Sequence, residues 1–286
     1  MTLFKAYLEL TKPRILMMQL VTLAMGYILA SPTPFHWTRF AAAMLGTAIA
    51  SGGAAALNHY WEIQEDSLMD RTKNRPLPSG LIPKIHALIL GLGLTLIGVI
   101  FLAITVNHLT ALLALLTSGL YVLVYTPLKK KTWLNTLVGA FPGAIPPLAG
   151  WSAATGQVGY PAWTLFLILF LWQLPHFYAI AWMYKDDYAK AGFKMLSVFD
   201  PTGWRTSREI IFNTLLLILV STFPYFYGLV GPFYVGGAFL LGTWFLSGGL
   251  KFAKDRSHAA AKSVLRLSVI YLPILLLLIL LDVLFQ

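Results

Sequence analysis

The chain contains no cysteine among its 286 residues. This absence excludes disulfides, thiolate nucleophiles, iron–sulfur clusters and thioether-linked cofactors. Charge is also scarce, since only 11% of the residues are charged and 11 acidic residues are outnumbered by 21 Lys and Arg. With 58% hydrophobic residues and a mean hydropathy of +0.72, the composition is that of an integral membrane protein.

Long uncharged intervals separate the few charges, and most exceed the roughly 18 apolar residues that suggest a membrane span. They cover residues 15–38, 40–61, 85–128, 132–184, 210–250 and 267–281. The three longest are about twice what one helix needs, so each must fold back on itself. Turn-forming residues interrupt them at 107–108, 156–161 and 231–232. The sequence therefore predicts one all-α membrane domain over 1–286, with nine transmembrane helices near 14–31, 38–60, 86–106, 109–126, 134–153, 161–182, 208–228, 232–250 and 266–284.

The Lys and Arg residues are distributed unevenly among the loops. All except Arg39 lie at the N-terminus or after the second, fourth, sixth and eighth predicted helices. By the positive-inside rule these segments, including the long loops 59–85 and 185–208, face the cytoplasm. Topology and anionic membrane lipid explain the net charge of +10, so we do not expect nucleic acid as a partner. No signal or transit segment precedes the first helix, which favours the plasma (inner) membrane of a bacterium or archaeon.

The first long charged loop contains a regular polar pattern. Asn58, Glu62, Asp66 and Asp70 recur every four residues, and on one helix they would share a slowly drifting face. Because like charges at this spacing repel, something cationic should lie against them. Mg²⁺ takes oxygen ligands, typically one or two carboxylates together with phosphate oxygens. The pattern predicts a metal-bound diphosphate at the membrane surface; the alternative is a solvated loop whose charges pair locally.

Three bases follow this pattern at two-residue spacing, namely Arg71, Lys73 and Arg75. Their side chains suit the remaining phosphate oxygens, which Arg can hold bidentately. A membrane enzyme that binds a diphosphate here, with its hydrophobic part among the helices, is expected to act on a polyprenyl diphosphate.

A second acidic group follows the sixth predicted helix. Asp186 and Asp187 are candidate ligands of a second metal ion, and Lys185 and Lys190 are candidates to contact phosphate. Such a pair is more often solvated than functional, but its place opposite the first pattern favours a shared site.

Two further sets of polar residues lie at or inside predicted helices. Tyr125 and Lys129 stand four residues apart at the end of the fourth helix, where both could reach an anion, and Asn135 begins the next helix. Gln173 and His176 interrupt an apolar run, and such groups tend to face the bundle interior or a cavity. His176 has three candidate roles: a cofactor ligand, a proton carrier, or a hydrogen bond between helices, which the residues alone favour.

Four segments together resemble the UbiA superfamily of intramembrane prenyltransferases, and more closely its haem-prenylating branch. They are YLELTKPRI at 7–15, MDRTKNRPLPSG at 69–80, YTPLKKKTWLNTLVGAFPGAIPPLAGW at 125–151 and WQLPHFYAIAWMYKDDYAKAGFKML at 172–196. The superfamily's first motif, Asn-x3-Asp-x3-Asp, is similar to Asn58, Glu62 and Asp66. The resemblance covers essentially the whole chain and implies a UbiA-type bundle.

Two positions depart from the superfamily pattern. Glu62 replaces Asp, which lengthens the ligand arm by one methylene and keeps its charge. The second motif, Asp-x3-Asp, is not intact, because Lys190 follows Asp186 by four residues and Ala191 follows Asp187 by four. A symmetric two-metal site is therefore not expected, and Lys190 is a candidate to replace the charge of one metal.

The resemblance implies transfer of a farnesyl group from farnesyl diphosphate to the vinyl group of protohaem IX, with water addition, giving haem O and diphosphate. It implies Mg²⁺ as the cofactor, and a haem A synthase or terminal oxidase assembly as a candidate partner. It makes His176 the first candidate to touch the porphyrin. The implied catalytic residues are Asn58, Glu62, Asp66, Arg71, Arg75, Tyr125 and Lys129. The implied substrate contacts are Gln173, His176, Asn135, Lys185 and Lys190. The implied metal ligands are Asn58, Glu62, Asp66, Asp70, Asp186 and Asp187.

Three other functions share part of this pattern. A superfamily member that prenylates an aromatic quinone precursor would have the same acidic motifs. A transporter would place interior acids near the bilayer midplane, whereas these lie at helix ends on one face. A phosphatidyl-type transferase would need a nucleotide-linked substrate and a differently spaced acidic motif.

Overall fold

A computed structural model describes residues 2–30 and 34–284, and within these ranges the chain is helical and contains no strand. A π-helix, Leu120–Tyr125, lies between the sixth and seventh α-helices. The α-helices are α1 Leu3–Leu10, α2 Pro13–Ala30, α3 Trp37–Trp61, α4 Ile63–Leu68, α5 Lys84–Thr105, α6 His108–Gly119, α7 Thr126–Leu128, α8 Asn135–Ala144, α9 Pro146–Thr155, α10 Tyr160–Met183, α11 Lys185–Lys190, α12 Leu196–Phe199, α13 Trp204–Val220, α14 Phe223–Phe226, α15 Pro232–Asp255 and α16 His258–Leu284.

Eight helical segments of the described chain are long and apolar enough to cross a membrane. They match eight of the nine predicted spans, which confirms a multi-pass, all-α membrane protein. The predicted end of the first span, Ser31, lies outside the described residues. The eight segments are Pro13–Ala30, Trp37–Trp61, Lys84–Thr105, His108–Leu128, Tyr160–Met183, Trp204–Phe226, Pro232–Asp255 and His258–Val283.

The remaining predicted span, 134–153, is divided into two helices. Helices α8 and α9 have ten residues each and meet at Ile145. Pro146 and Pro147 begin α9, and a proline inside a helix removes one backbone hydrogen bond and clashes with the preceding turn. The expectation of one continuous helix is wrong here for that reason, and α8 and α9 together occupy the length of a span.

Helix α10 lies at the centre of the largest apolar core and contacts α8, α9, α13 and α16. Two long pairings flank this core, α3 with α5 and α2 with α9. Helix α5 also presents Ile89, Leu96, Ile100 and Ile104 on its outer surface, each at least half exposed. A lipid environment suits this apolar surface, which water would disfavour.

Glycine allows close backbone contact between α2 and α9. A Cβ atom built on Gly150 would lie 1.9 Å from the carbonyl oxygen of Leu23, and one on Gly26 would lie 2.1 Å from that of Pro147. Small residues of this kind let membrane helices pack backbone to backbone, where van der Waals contact holds them together.

We therefore predict that Gly150→Ala lowers the melting temperature of the detergent-purified protein. The added methyl group must push α2 away from α9, and overpacking of this kind costs about 1–3 kcal/mol. Gly93→Ala is the matched control, because a Cβ atom at this helical glycine would meet nothing within 4 Å. It should leave the melting temperature unchanged or slightly raised, since Ala favours helix over Gly. Equal melting temperatures for the two variants would contradict this account of the α2–α9 contact.

Candidate active site

Most of the charged side chains lie at one end of the bundle, which we call the charged end. Here α3, α7 and α10 finish, and the connecting segments 62–83, 129–134 and 184–203 follow them. Three of the groups predicted from sequence therefore meet at one end of the molecule.

The first acidic pattern keeps its helical register only in part. The amide of Glu62 donates to the carbonyl of Asn58 at 3.1 Å, and that of Asp66 donates to Glu62 at 2.8 Å. Met69 then adopts an extended backbone, with φ −93° and ψ 130°. The prediction of one face for all four residues is wrong for Asp70, because the helix ends before it.

A cavity of about 250 Å³ opens among the helices at the charged end. Its wall is formed by parts of α2, α3, α4, α6, α8, α10 and α11, by the π-helix, by the residues that join α1 to α2 and α3 to α4, and by the segments that follow α4, α7 and α11. The wall combines two carboxylates and four cations with small and aromatic residues. The charged residues of the wall are Lys12, Glu62, Asp66, Arg71, Arg75 and Lys129.

Each of the two carboxylates is buried and held by a base. Glu62 is 6% exposed and Asp66 1% exposed. Lys129 Nζ donates to Glu62 Oε1 at 2.6 Å, and Arg75 Nη1 donates to both carboxylate oxygens of Asp66, at 2.9 and 3.0 Å. Since a charge taken out of water is costly unless it is paired, these contacts hold all four side chains in place.

The pairing is visible in the pKa values of these groups. Burial alone would raise the pKa of Asp66, but His59, 3.7 Å away, and the Arg75 guanidinium lower it to about 2. Burial likewise opposes the charge of Lys129, but the Glu62 carboxylate outweighs it and raises the pKa of Lys129. The contribution of Asp66 to stability is therefore present above its unfolded pKa and is lost as the pH falls towards 2.

Lys12 is a cavity residue that sequence reasoning missed, although it lies inside the quoted segment YLELTKPRI. Its Nζ donates to Asn58 Oδ1 at 2.6 Å and to the Tyr121 hydroxyl at 3.1 Å. Its backbone is left-handed, with φ 50°, a conformation that costs about 1–3 kcal/mol for a residue other than Gly. Burial, opposed by Glu62 and reinforced by Lys129, lowers the pKa of Lys12 to about 7.

The π-helix places two tyrosines on the cavity wall. Tyr121 and Tyr125 stack with ring centroids 5.9 Å apart, and Lys129 Nζ lies 4.7 Å from the centroid of the Tyr125 ring. Thr126 donates both its amide and its hydroxyl to the carbonyl of Tyr121, which fixes the wide turn. Such π-helical turns are rare and are frequent at functional sites. Tyr121 was missed, although its four-residue spacing from Tyr125 was a usable signal.

The second acidic group connects two loops. Asp187 accepts long hydrogen bonds, 3.4 Å each, from the amides of Asp70 and Arg71. Asp70 also pairs with Lys190 at 2.9 Å and with Lys73 at 2.7 Å, and these two ammonium groups lower the pKa of Asp70 to about 2. The loops after α4 and α10 are thereby fastened together over the cavity.

This fastening positions Arg71 at the cavity. Its guanidinium lies 4.8 Å from the centroid of the Tyr184 ring, and its Nη2 donates to the Tyr188 hydroxyl at 3.3 Å. Tyr188 also lies on the cavity wall and was not predicted.

Two of the predicted substrate contacts lie in α10 and form hydrogen bonds to different neighbouring helices. Gln173 lines the cavity and donates to the carbonyl of Ala140 at 2.8 Å. His176 Nδ1 lies 2.8 Å from Ser268 Oγ on α16, and its ring stacks on Trp172. The structure thus gives His176 a hydrogen bond between helices, and its contact with a porphyrin stays a prediction.

Several other predicted residues lie away from the cavity wall in the described part of the chain. Asn135 donates to the carbonyls of Thr132 and Lys194, which ties two loops together. Lys185 Nζ lies 4.7 Å from the ring centroid of Trp182. The predicted residues outside the wall are Asn58, Asp70, Asn135, His176, Lys185, Asp186, Asp187 and Lys190.

The charged end offers oxygen ligands rather than a closed metal cage. Within residues 2–30 and 34–284, no three His, Asp or Glu side chains converge as an all-protein metal site. Glu62 and Asp66 nevertheless present buried carboxylates to one cavity. Mg²⁺ is typically held by one or two carboxylates plus substrate phosphates, so Glu62 and Asp66 fit such an ion. The six predicted metal ligands do not converge on one point in the described residues.

Comparison with known proteins identifies the class of this molecule. The model of the UbiA prenyltransferase family matches residues 19–271, so the chain belongs to this family and is a membrane prenyltransferase. A solved structure described as digeranylgeranylglyceryl phosphate synthase shares the fold with a TM-score of 0.82, at 19% identity and over 99% of both chains. A UbiA homologue from Archaeoglobus fulgidus, bound to DMAPP and Mg²⁺, gives a TM-score of 0.71 at 16% identity, over 97% of this chain and 98% of that one.

Curated relatives share more of the sequence. A protein named protoheme IX farnesyltransferase from Solibacter usitatus is 44% identical, and the match covers 96% of this chain and 98% of that protein. A protein of the same name from Opitutus terrae is 42% identical, over 99% of this chain and 96% of that protein.

The contact between Glu62 and Lys129 can be tested through its non-additivity. Lys129→Met should destabilise the protein by about 3–5 kcal/mol, because it leaves a buried carboxylate without its partner. The double variant Glu62→Gln/Lys129→Met should recover part of this loss. Denaturant unfolding in detergent measures both single variants, Lys129→Met and Glu62→Gln, and the double variant, with the exposed neighbour Lys131→Met as control. Additive losses would mean that the pair does not stabilise the loops.

Proposed function

We propose that the chain transfers the farnesyl group of farnesyl diphosphate to the vinyl group of protohaem IX, giving haem O and diphosphate. The observation that carries this proposal is a cavity in which two buried carboxylates and four cations meet an aromatic wall. The names of full-length relatives at 42–44% identity support haem as the acceptor.

The polar part of the cavity suits the diphosphate. Arg71, Arg75 and Lys129 supply fixed positive charge where the leaving group develops negative charge, and they need no rearrangement at the moment of ionisation. Glu62 and Asp66 would hold Mg²⁺ together with phosphate oxygens, and the ion would supply further neutralisation of the departing diphosphate. The A. fulgidus homologue, which binds DMAPP and Mg²⁺, supports this assignment.

The aromatic part of the wall suits the allylic cation. When the C1–O bond breaks, its electron pair leaves with diphosphate and the farnesyl carbon becomes positive. The faces of Tyr121 and Tyr125 attract such a cation, and the surrounding helices exclude water that would otherwise capture it. The vinyl group of haem then supplies the electron pair of the new C–C bond.

The positive charge passes to the carbon next to the porphyrin, and a water molecule adds there and releases one proton. The product is a hydroxyethylfarnesyl side chain that keeps the whole farnesyl group and the hydroxyl of the water molecule, and diphosphate and the released proton are the other products. Gln173 lies on the cavity wall with its amide tied to Ala140, and its position suits a polar contact with the acceptor.

The decisive experiment is to incubate purified protein in liposomes with haem B, farnesyl diphosphate and Mg²⁺, and to analyse the haem by mass spectrometry. We expect an adduct of haem with farnesyl plus water, and its loss when EDTA replaces Mg²⁺. Asp66→Asn should lower kcat at least about 100-fold, the scale for removing one group that stabilises developing charge. Asp255→Asn, exposed at the end of α15, is the control and should retain activity.

Two other results have distinct meanings. Unmodified haem together with prenylation of an aromatic quinone precursor would keep the diphosphate site and reject the acceptor. Absence of both products would reject prenyl transfer by the cavity, and full activity of Asp66→Asn would reject this residue as a ligand.

We further propose that the charged end faces the cytoplasm of a cell bounded by the plasma membrane, because Lys and Arg accumulate there. A cysteine-free chain allows a direct test. Asn74→Cys, at the charged end, should react with a membrane-impermeant maleimide only in inside-out vesicles. Gln157→Cys, between α9 and α10, should react only in right-side-out vesicles. The reverse pattern would place the site outside the cell. Association with a haem A synthase or terminal oxidase stays a prediction.

A further inference from the structure

The four cations of the cavity wall differ in what holds them. Arg75 and Lys129 are each paired with a buried carboxylate, and Arg71 lies against tyrosine rings. In the described residues, neither Arg71 nor Lys12 has a carboxylate oxygen within 4.0 Å of its charged nitrogen atoms, and Lys12 is the less exposed of the two. Its two hydrogen-bond acceptors, Asn58 and Tyr121, are both neutral.

An ammonium group has three N–H donors, and these two contacts use only two of them. Lys12 lies on the cavity wall, so the third donor is available to a molecule bound in the cavity. Removing a cation partly from water is unfavourable unless an anion compensates its charge. Lys12 is such a partly buried cation, and an anion bound in the cavity would compensate it.

The surroundings of Lys12 fix its ammonium group in place. The residue joins α1 to α2 with a left-handed backbone and precedes Pro13, which restricts its conformation further. Asn58, which accepts from Lys12, is itself held because its side-chain amide donates to Thr126 at 2.9 Å. Because the Lys12 side chain is already held in place, less conformational entropy is lost when a ligand binds to it.

We propose that Lys12 is an oxyanion-binding residue, whose ammonium group donates to a negatively charged oxygen of a substrate. The proposal rests on the proposed function, because both substrates of that reaction supply such oxygens: the diphosphate of the prenyl donor and the carboxylates of the porphyrin. The proposal also assigns Asn58 a role other than the metal ligand expected from sequence. In this role Asn58 holds Lys12 towards the cavity.

Binding measurements test this without relying on turnover. Lys12→Gln removes the charge and keeps side-chain N–H donors for Asn58 and Tyr121, whereas Lys12→Arg keeps the charge. Lys5→Gln on the exposed face of α1 is the matched control. Each detergent-purified variant is first compared with the wild type by melting temperature, and is then titrated with three probes. These are farnesyl thiodiphosphate with Mg²⁺, haem B, and haem B dimethyl ester, which lacks the carboxylate charges.

We expect Lys12→Gln to weaken binding of one charged probe by about tenfold or more, the loss typical of one hydrogen bond to a charged group. Lys12→Arg should retain most of the affinity and Lys5→Gln all of it. Weaker binding of the thiodiphosphate alone identifies the diphosphate as the source of the oxyanion. Weaker binding of haem B, with dimethyl ester binding unchanged, identifies the porphyrin carboxylate.

A folded Lys12→Gln variant that binds all three probes as the wild type does would overturn the proposal and leave Lys12 as a link between helices. If Lys12→Gln does not fold, Lys12→Met takes its place, because it removes the charge and keeps an unbranched side chain of similar length. Wild-type affinity of a folded Lys12→Met variant for all three probes would likewise overturn the proposal. A wild-type chain that binds neither donor nor haem rejects the proposed function itself, and no variant is needed to see this.

Discussion

The buried carboxylates at the ends of the helices are the constraint on which the rest of the charged end depends. Glu62 and Asp66 lie where α3 leaves the bundle, and burying either carboxylate would be costly without its pair with Lys129 or Arg75. Lys129 follows α7 and Arg75 follows α4, and both pair with carboxylates of the neighbouring positions 62 and 66. The two ion pairs therefore hold the segments after α4 and after α7 close together. The same contacts leave positive charge in excess along the cavity wall, which suits an anionic substrate.

Much of the fold follows from the placement of charge and proline. Uncharged intervals located eight spans because a membrane excludes unpaired charge, and this rule acts over local sequence. The two consecutive prolines of GAIPPLAG also indicate the division at Ile145, but a prediction from hydropathy alone does not detect a bend in a helix. For the site, the four-residue spacing identified Glu62 and Asp66, since helical register continues as far as Asp66.

The remainder of the site depends on contacts between residues far apart in the chain. Lys12 meets Asn58 across 46 positions and Tyr121 across 109, and no local pattern reports such distances. Asp70 fits the spacing of the acidic pattern but leaves it, because the backbone extends at Met69 and the side chain pairs with Lys190 instead. Asp187 was expected to hold a metal ion; here it accepts from backbone amides of the neighbouring loop.

The π-helix accommodates one extra residue in the helix that carries the two cavity tyrosines. A π-turn contains one more residue than an α-turn, so its residues are each rotated by less than the roughly 100° of an α-helix. Deleting one residue between Tyr121 and Tyr125 would let the segment relax into an ordinary α-helix. Lys129 would keep nearly the same direction towards Glu62, but the spacing and the stacking of the two tyrosines would change. The extra residue therefore shapes the aromatic wall of the cavity rather than the ion pair that follows it.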